Sequence, residues 1–436
     1  MSNYNRYTSY KNSGVEWLGE IPEHWEVKKI KFIANIYNGD SLNENLKKSF
    51  ESFDKNRIPY ISSKDIDINN SNINYDNGLR IPNENVSLKV APKFSSLLCI
   101  EGGSAGRKIA FTNQEVCFVN KLACFSIKKG NESEYLYYSL KGSPFQTQFK
   151  LSLSGMIGGV SISNLNNFII SVPPLKEQTA IAEFLDDKTS KIDAAVALKE
   201  QQIKLLQELK QILIHKVVTR GLDDSVAFKD SSVEWIDEIP EHWEVFRNNT
   251  LFKEENRSGR EGLPLLSVSI HSGVSDEEIN DEENVRGRVK IEDKTKYKLV
   301  QKDDIVFNMM RAWQGAIGAV KVDGLVSPAY VVAKPIGPLN ANYFENLFRT
   351  KKFITQINRV SKGITDFRKR LYWDQFRDLR VVFPPISEQQ DIVQFIDANC
   401  QKIETAIHLK QKEIEKLKEY KGSLINSVVT GKVKVC

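Results

Sequence analysis

From Ile192 the apolar positions Val196, Ile203, Leu206, Leu213 and Val217 follow at spacings of four and three, once Lys199 and Lys210 are counted in the gaps. The same rhythm, with Lys410 and Lys421 in its gaps, runs through Ile403, Ile407, Ile414, Leu417, Leu424 and Val428. A four-three alternation puts one apolar seam on a helix, and two such helices in one chain are predicted to pair as a coiled coil. Lysine in a seam weakens the pair but fixes its register. Elsewhere, β-branched runs at Phe94–Ile100, Val116–Ile127, Asp304–Phe307 and Leu325–Ala333 lie between Gly, Pro and Asn and predict strands. Tyr135–Lys141 and Tyr343–Ile357 predict helices. Each globular region is therefore expected to be α+β.

The pattern occurs twice. Val15–Val27 reads almost as Val233–Val245 does, with the stretch from Glu20 identical to that from Glu238. Val172-Pro-Pro-Leu-Lys-Glu-Gln178 matches Phe383-Pro-Pro-Ile-Ser-Glu-Gln389, and each opens a charged helix ending in Val-Val-Thr. A period this long is not that of a solenoid, whose units run roughly 20–50 residues. It predicts a first globular region with its lead-in segment at 1–172, a first helix region at 173–221, a second globular region at 222–383 and a second helix region at 384–436. Ser387-Glu-Gln-Gln390 reads as a capping box for a short helix ahead of the second long one. A spacer helix over Lys188–Thr219 would be about 48 Å long. Two such helices, antiparallel, would relate the regions by a pseudo-two-fold axis and cover roughly 14 base pairs of duplex DNA.

The copies agree where a core needs them to. Tyr135, Leu140, Phe145, Gln148 and Gly155 align at one offset with Tyr343, Phe348, Phe353, Gln356 and Gly363. They differ at polar tips. Leu97–Ile100 runs into Glu101-Gly-Gly-Ser-Ala-Gly-Arg-Lys108, and its counterpart Ile305–Phe307 into Asn308-Met-Met-Arg-Ala-Trp-Gln-Gly315. After Gly155 comes Met-Ile-Gly-Gly, and after Gly363 comes Ile-Thr-Asp-Phe-Arg-Lys-Arg. One scaffold with two sets of tips is the pattern of paired recognition modules with different targets.

Composition narrows the classes. The 436 residues are 41% hydrophobic and 27% charged, as in an ordinary globular chain. No apolar run approaches a membrane span, and the polar start Met1–Lys11 does not read as a signal peptide. Cys99, Cys117, Cys124, Cys400 and Cys436 include no C-x-x-C pair and fit a reduced cytoplasm, with neither a disulfide frame nor a zinc site. The net charge of +5 leans weakly toward polyanions. Acidic residues crowd 276–283, read as a solvated loop.

A catalytic reading finds little support. Val-Pro-Pro-Leu and Phe-Pro-Pro-Ile lack the polar residue an adenine methyltransferase loop carries before its prolines. Gly102–Lys108 has neither the spacing nor the hydroxyl of a phosphate-binding loop and reads as a tight turn. No H-E-x-x-H or Cys/His cluster occurs. His24 and His242 are expected to pack or cap the lead-in, and Trp17, Trp25, Trp235 and Trp243 to anchor it against a helix or core.

Binding chemistry has better candidates. Major-groove readout uses Arg or Lys on guanine and Asn or Gln on adenine, while phosphates take Lys, Arg, Ser or backbone amides. In the first region those residues are Ser62, Lys64, Ser104, Arg107, Lys108, Asn120 and Lys121. In the second they are Ser267, Arg311, Trp313, Gln314, Lys362, Arg368, Lys369 and Arg370, within a basic stretch that also holds Arg359, Arg377 and Arg380.

With these residues laid out, the chain resembles the specificity (S) subunits of type I restriction-modification systems. The resemblance rests on the doubled Glu-Ile-Pro-x-x-Trp (Glu20–Trp25, Glu238–Trp243), the doubled Pro-Pro-x-x-Glu-Gln (Pro173–Gln178, Pro384–Gln389) and the helix ends Val217–Arg220 and Val428–Gly431. It covers essentially the whole chain, departing only where Arg220 stands between Thr219 and Gly221. The resemblance implies two target recognition domains on a helical spacer, reading an asymmetric, bipartite site in double-stranded DNA. It implies two methyltransferase subunits on the spacer and, through them, restriction/translocase subunits. S-adenosylmethionine, ATP and Mg would then be bound by those partners, and this chain would be non-catalytic, prokaryotic and cytoplasmic. A specificity subunit of a related type II-like assembly, a nuclease or methyltransferase, and a coiled-coil scaffold binding only proteins stand as alternatives.

Overall fold

Both seam helices form, and both begin earlier than their seams. The structure, a computed structural model, describes residues 5–83, 87–154, 158–276, 293–363 and 369–435. The long helices are Leu175–Arg220, of 46 residues, and Ile386–Val429, of 44. Each starts directly after its proline pair, since proline suits a helix start but not an interior. The capping-box expectation fails: Ser387 lies inside the first turn, and Ser387–Gln390 are already part of the long helix. Glutamine does the work instead. Gln178 Nε2 donates to the Pro173 carbonyl and Oε1 accepts from the Glu132 amide; Gln389 does the same with Pro384 and Asn340.

The chain divides into two compact units, Met1–Glu200 with Gln411–Cys436, and Gln201–Lys410. Each therefore holds one globular module and one half of each long helix, a grouping that cuts across the sequence segments. In the first unit an antiparallel sheet runs in the order Ala34–Asn38, Leu122–Ile127, Ser96–Cys99, Ile109–Phe111. The second unit repeats it as Phe252–Glu255, Tyr330–Pro335, Ile305–Asn308, Ile317–Ala319. Two helices cover the sheet of each unit: Ser133–Lys141 and Ser143–Leu151 in the first, Ala341–Phe348 and Lys351–Val360 in the second. The single helix expected over Tyr343–Ile357 is thus broken. Thr350 takes an extended backbone and its Oγ1 accepts from the Phe353 amide, capping a new helix.

The expected strand Val116–Ile127 also divides, because its two parts serve different sheets. Leu122–Ile127 belongs to the sheet above, whereas Val116–Phe118 pairs in parallel with Ile58–Ile61 in a second one. Leu325–Ala333 divides likewise, into Gly324–Val326 and Tyr330–Pro335. The break matters because it leaves Asn120 and Lys121 at a turn between sheets.

The lead-in segments clamp helix ends. In the first unit Glu177, in the first turn of its helix, accepts from His24 Nε2 at 2.6 Å and Trp25 Nε1 at 2.9 Å. In the second unit Glu388 takes His242 Nε2 at 2.7 Å and Trp243 Nε1 at 2.9 Å. Trp25, Trp243 and Trp235 are buried as expected, but Trp17 is 41% exposed and anchors less. The helices end on left-handed glycines held close to this clamp. A Cβ at Gly431 would stand 2.3 Å from Pro22, and one at Gly221 3.2 Å from Trp243. The glycine role thus survives the extra Arg220.

Every seam residue is buried or half-buried, and within each unit the cross-helix pairs rise in number on one helix as they fall on the other, so the halves run antiparallel. In the first unit Lys421 meets Asp193 and Lys199 meets Glu413, each at 2.6 Å. In the second, Lys210 meets Glu404 at 2.6 Å and Lys410 meets Gln202 at 2.7 Å. All four seam lysines therefore have partners on the opposing helix, which lowers the cost of placing charge there.

Candidate nucleic-acid interface

In the first unit, backbone pairing gathers candidates that lie far apart in sequence. The tip Glu101–Lys108 joins two adjacent strands of the main sheet and turns on left-handed Gly102 and Gly106. Gly106 is required there, since a Cβ would stand 2.7 Å from the Phe149 ring. Gly102 donates to the Gly158 carbonyl at 3.0 Å, and Val160 donates to Ile100 at 3.0 Å. The two tips that diverge between the copies are thus neighbours. Two other segments attach beside them: the Ile100 amide donates to the Lys121 carbonyl, and the Val119 amide to the Ile61 carbonyl. Ser62, Lys64, Ser104, Arg107, Lys108, Asn120 and Lys121 consequently share one edge of the module.

Their freedom to bind differs. Lys64, Arg107, Asn120 and Lys121 are exposed, with Lys121 Nζ 3.6 Å from Glu101. Lys108 Nζ donates to the Ser63 carbonyl at 2.6 Å, and Ser62 Oγ donates to Asp65 Oδ2 at 2.7 Å. These two shape the edge, and the exposed four are the groups that face solvent from it.

The second unit repeats the plan with other chemistry. Its tip turns on Gly315, at φ 102°, and its second tip closes through paired backbone bonds between Lys362 and Arg370. The Leu371 amide donates to Met309 at 2.9 Å, joining the tips. Lys369 Nζ lies 5.6 Å from the Trp313 ring centroid and donates to Asn358 Oδ1. Trp313 Nε1 donates to the Met310 carbonyl, which fixes the ring. Arg311, Trp313, Gln314, Lys362, Lys369 and Arg370 are therefore brought together, whereas Arg368 lies outside the described residues, as do Gly155–Ile157 in the first tip pair and most of the acidic run. Ser267 sits in a neighbouring hairpin, its amide donating to Ser275 Oγ.

Sequence reasoning missed the pair that holds this hairpin. Arg349 donates to the carbonyls of Ser269, Ile270, His271, Gly315 and Ile317. Glu345, one helical turn earlier, accepts from the Ala319 amide at 3.0 Å. Burial raises the Glu345 carboxyl above its usual range, and the Ala319 amide and Arg349 oppose that shift. The first unit has Tyr137 and Lys141 at the matching places, with Lys141 Nζ donating to Tyr137 OH. The available signal was a polar pair at i, i+4 within an otherwise apolar helix face.

No group of His, Cys, Asp or Glu among the described residues could hold a metal ion. None of the described helices is long and apolar enough to cross a membrane. Two like modules whose neighbouring tips have diverged define a paired recognition protein. The family described as the type I restriction modification DNA specificity domain matches residues 22–208 and 238–419, and the chain belongs to it.

Relatives agree along nearly their full length. The chain is 26% identical to a putative type I restriction enzyme MjaX specificity subunit of Methanocaldococcus jannaschii, over 96% of each chain. It is 24% identical to the EcoBI specificity subunit of Escherichia coli, over 88% of this chain and 81% of that one. Among solved structures, a chain from work on complex assembly and conformational transition of the type I R-M system matches at TM-score 0.67 and 12% identity, over 94% and 98% of the two chains. The HsdS subunit from Thermoanaerobacter tengcongensis matches at 0.51 and 13%, over 95% and 98%. Both share the fold.

Proposed function

We propose that each module reads one half of an asymmetric, bipartite site in double-stranded DNA, using the joined tips as its reading edge. The observation that carries this is the adjacency of the two diverged tips in each unit, on a sheet and lead-in that hardly differ. Conserved frame and altered edge are what two different half-sites require. Exposed Arg107, Asn120 and Lys121 in one unit, and exposed Gln314 with half-buried Arg311 and Arg370 in the other, supply donors and acceptors suited to base edges and phosphates. The long helices would set the gap and dock two methyltransferase subunits, and restriction subunits through them. S-adenosylmethionine, ATP and Mg would belong to those partners, leaving this chain a non-catalytic subunit in a prokaryotic cytoplasm.

Co-expression with the cognate methyltransferase subunit, followed by mapping of methylated bases, tests the reading. The expected result is one two-part motif with an unspecified gap, absent when this chain is omitted. Methylation by the partner alone at the same motif, or by this chain alone, would reject it.

A further inference from the structure

Each helix pair has one side turned toward its own module and another turned away. In the second unit, Gln207, Gln211 and Ile214 of the first long helix face a cleft of about 1080 Å³ that Arg349 and Ile354 line from the module. At about 100° per residue, Leu205, Leu209 and Ile212 fall together roughly a third of a turn from the seam, away from that cleft. They are 55%, 50% and 66% exposed. Leu409 on the second long helix, 55% exposed, stands at the same rotation from its own seam and so on the same side of the pair.

The first unit has the twin face with different residues. Lys416, Tyr420 and Ser423 occupy the places matching Leu205, Leu209 and Ile212, and Leu198 alone matches Leu409. Apolar content is therefore concentrated in the second unit, although seams and ion pairs are equivalent.

We propose that the two methyltransferase subunits dock on these twin faces with unequal strength, the tighter one on the second unit through Leu205, Leu209, Ile212 and Leu409. This rests on the reading of the helices as the partner-docking spacer. A helix with an apolar stripe is the fitting occupant, because the exposed residues repeat at four and three. The stripe also continues an existing interface: Leu206 and Leu213 of the seam remain half-buried beside it, and a third helix laid there would cover both. Twin positions suit two copies of one partner, and the lysine and serine in the first unit make its face the poorer one.

Native mass spectrometry of the full chain with its methyltransferase subunit, across a dilution series, reads both sites. The wild type is expected to hold two partners when concentrated and one when dilute, with affinities at least about tenfold apart. Leu209→Lys with Ile212→Lys, both exposed and harmless to the core, should remove the tighter site and leave the weaker one. Lys416→Leu with Ser423→Ile should bring the two affinities together. Equal affinities in the wild type, or loss of neither site in the double lysine variant, would overturn the proposal. So would dimerisation of the chain alone that the lysine variant abolishes, since the face would then belong to a second copy. Failure of the wild type to bind any partner would instead overturn the docking reading on which it rests.

Discussion

Glu177 and Glu388 each receive a histidine and a buried tryptophan at the point where a module meets a helix start, and Glu177 also accepts from the Tyr7 hydroxyl at 3.1 Å. Gln at either position keeps the shape but offers one acceptor oxygen to these donors. Glu177→Gln should cost about 1–3 kcal/mol, and Glu388→Gln a similar amount, in urea unfolding. A loss in only one unit would contradict the equivalence of the clamps. The sequence announced this feature through repetition of His-Trp, yet the partner glutamate is some 150 residues away and only the fold supplies it. Trp17 shows the converse, since repetition alone did not bury it.

Lys141 is a residue with a pH signature. Burial pushes its ammonium down to about 8, opposed in part by Asp193. Below pH 8 the lysine is protonated in both states and the burial penalty is constant. Between pH 8 and about 10 the unfolded chain holds a proton the folded one has shed, so this group adds stability as pH rises. The buried thiols of Cys117 and Cys124 are pushed up and act the opposite way in that window. The difference between wild type and Lys141→Met isolates the lysine: its gap in unfolding midpoint should narrow from pH 7.5 to 9.5. A gap independent of pH would contradict the assignment.

At the scale of elements, the heptad seams were the most legible part of the chain, because a long periodic pattern survives any tertiary context. Lysine at a seam position fixes register at a cost in stability, and cross-helix partners at 2.6–2.7 Å explain how these lysines are tolerated. Element ends were less legible. Thr350 breaks a helix and residues 119–121 break a strand because side-chain caps and a change of sheet decide there, and neither has a periodic signal. Ile414→Asp with Leu417→Asp places charge in the seam of the first unit. It should cost several kcal/mol and lower helix content by circular dichroism. Unchanged unfolding would mean that the seam does not hold the helices together.

For the whole molecule, duplication was legible from the first motif onward, and with it the α+β modules and their shared frame. The reading edge was legible only in part. Divergence between copies marked which segments to watch, but strand order alone shows that residues 62–64, 101–108, 120–121 and 158–160 meet. Which of them face outward depended on partners such as Ser63 for Lys108, invisible in a linear chain. The central claim is that one module reads one half-site, and replacing residues 30–170 with the matching segment of a relative of different target tests it most directly. Methylation mapping of the hybrid should show one half of the motif exchanged, with the other half and the gap unchanged. Exchange of both halves, or of neither, would contradict the account.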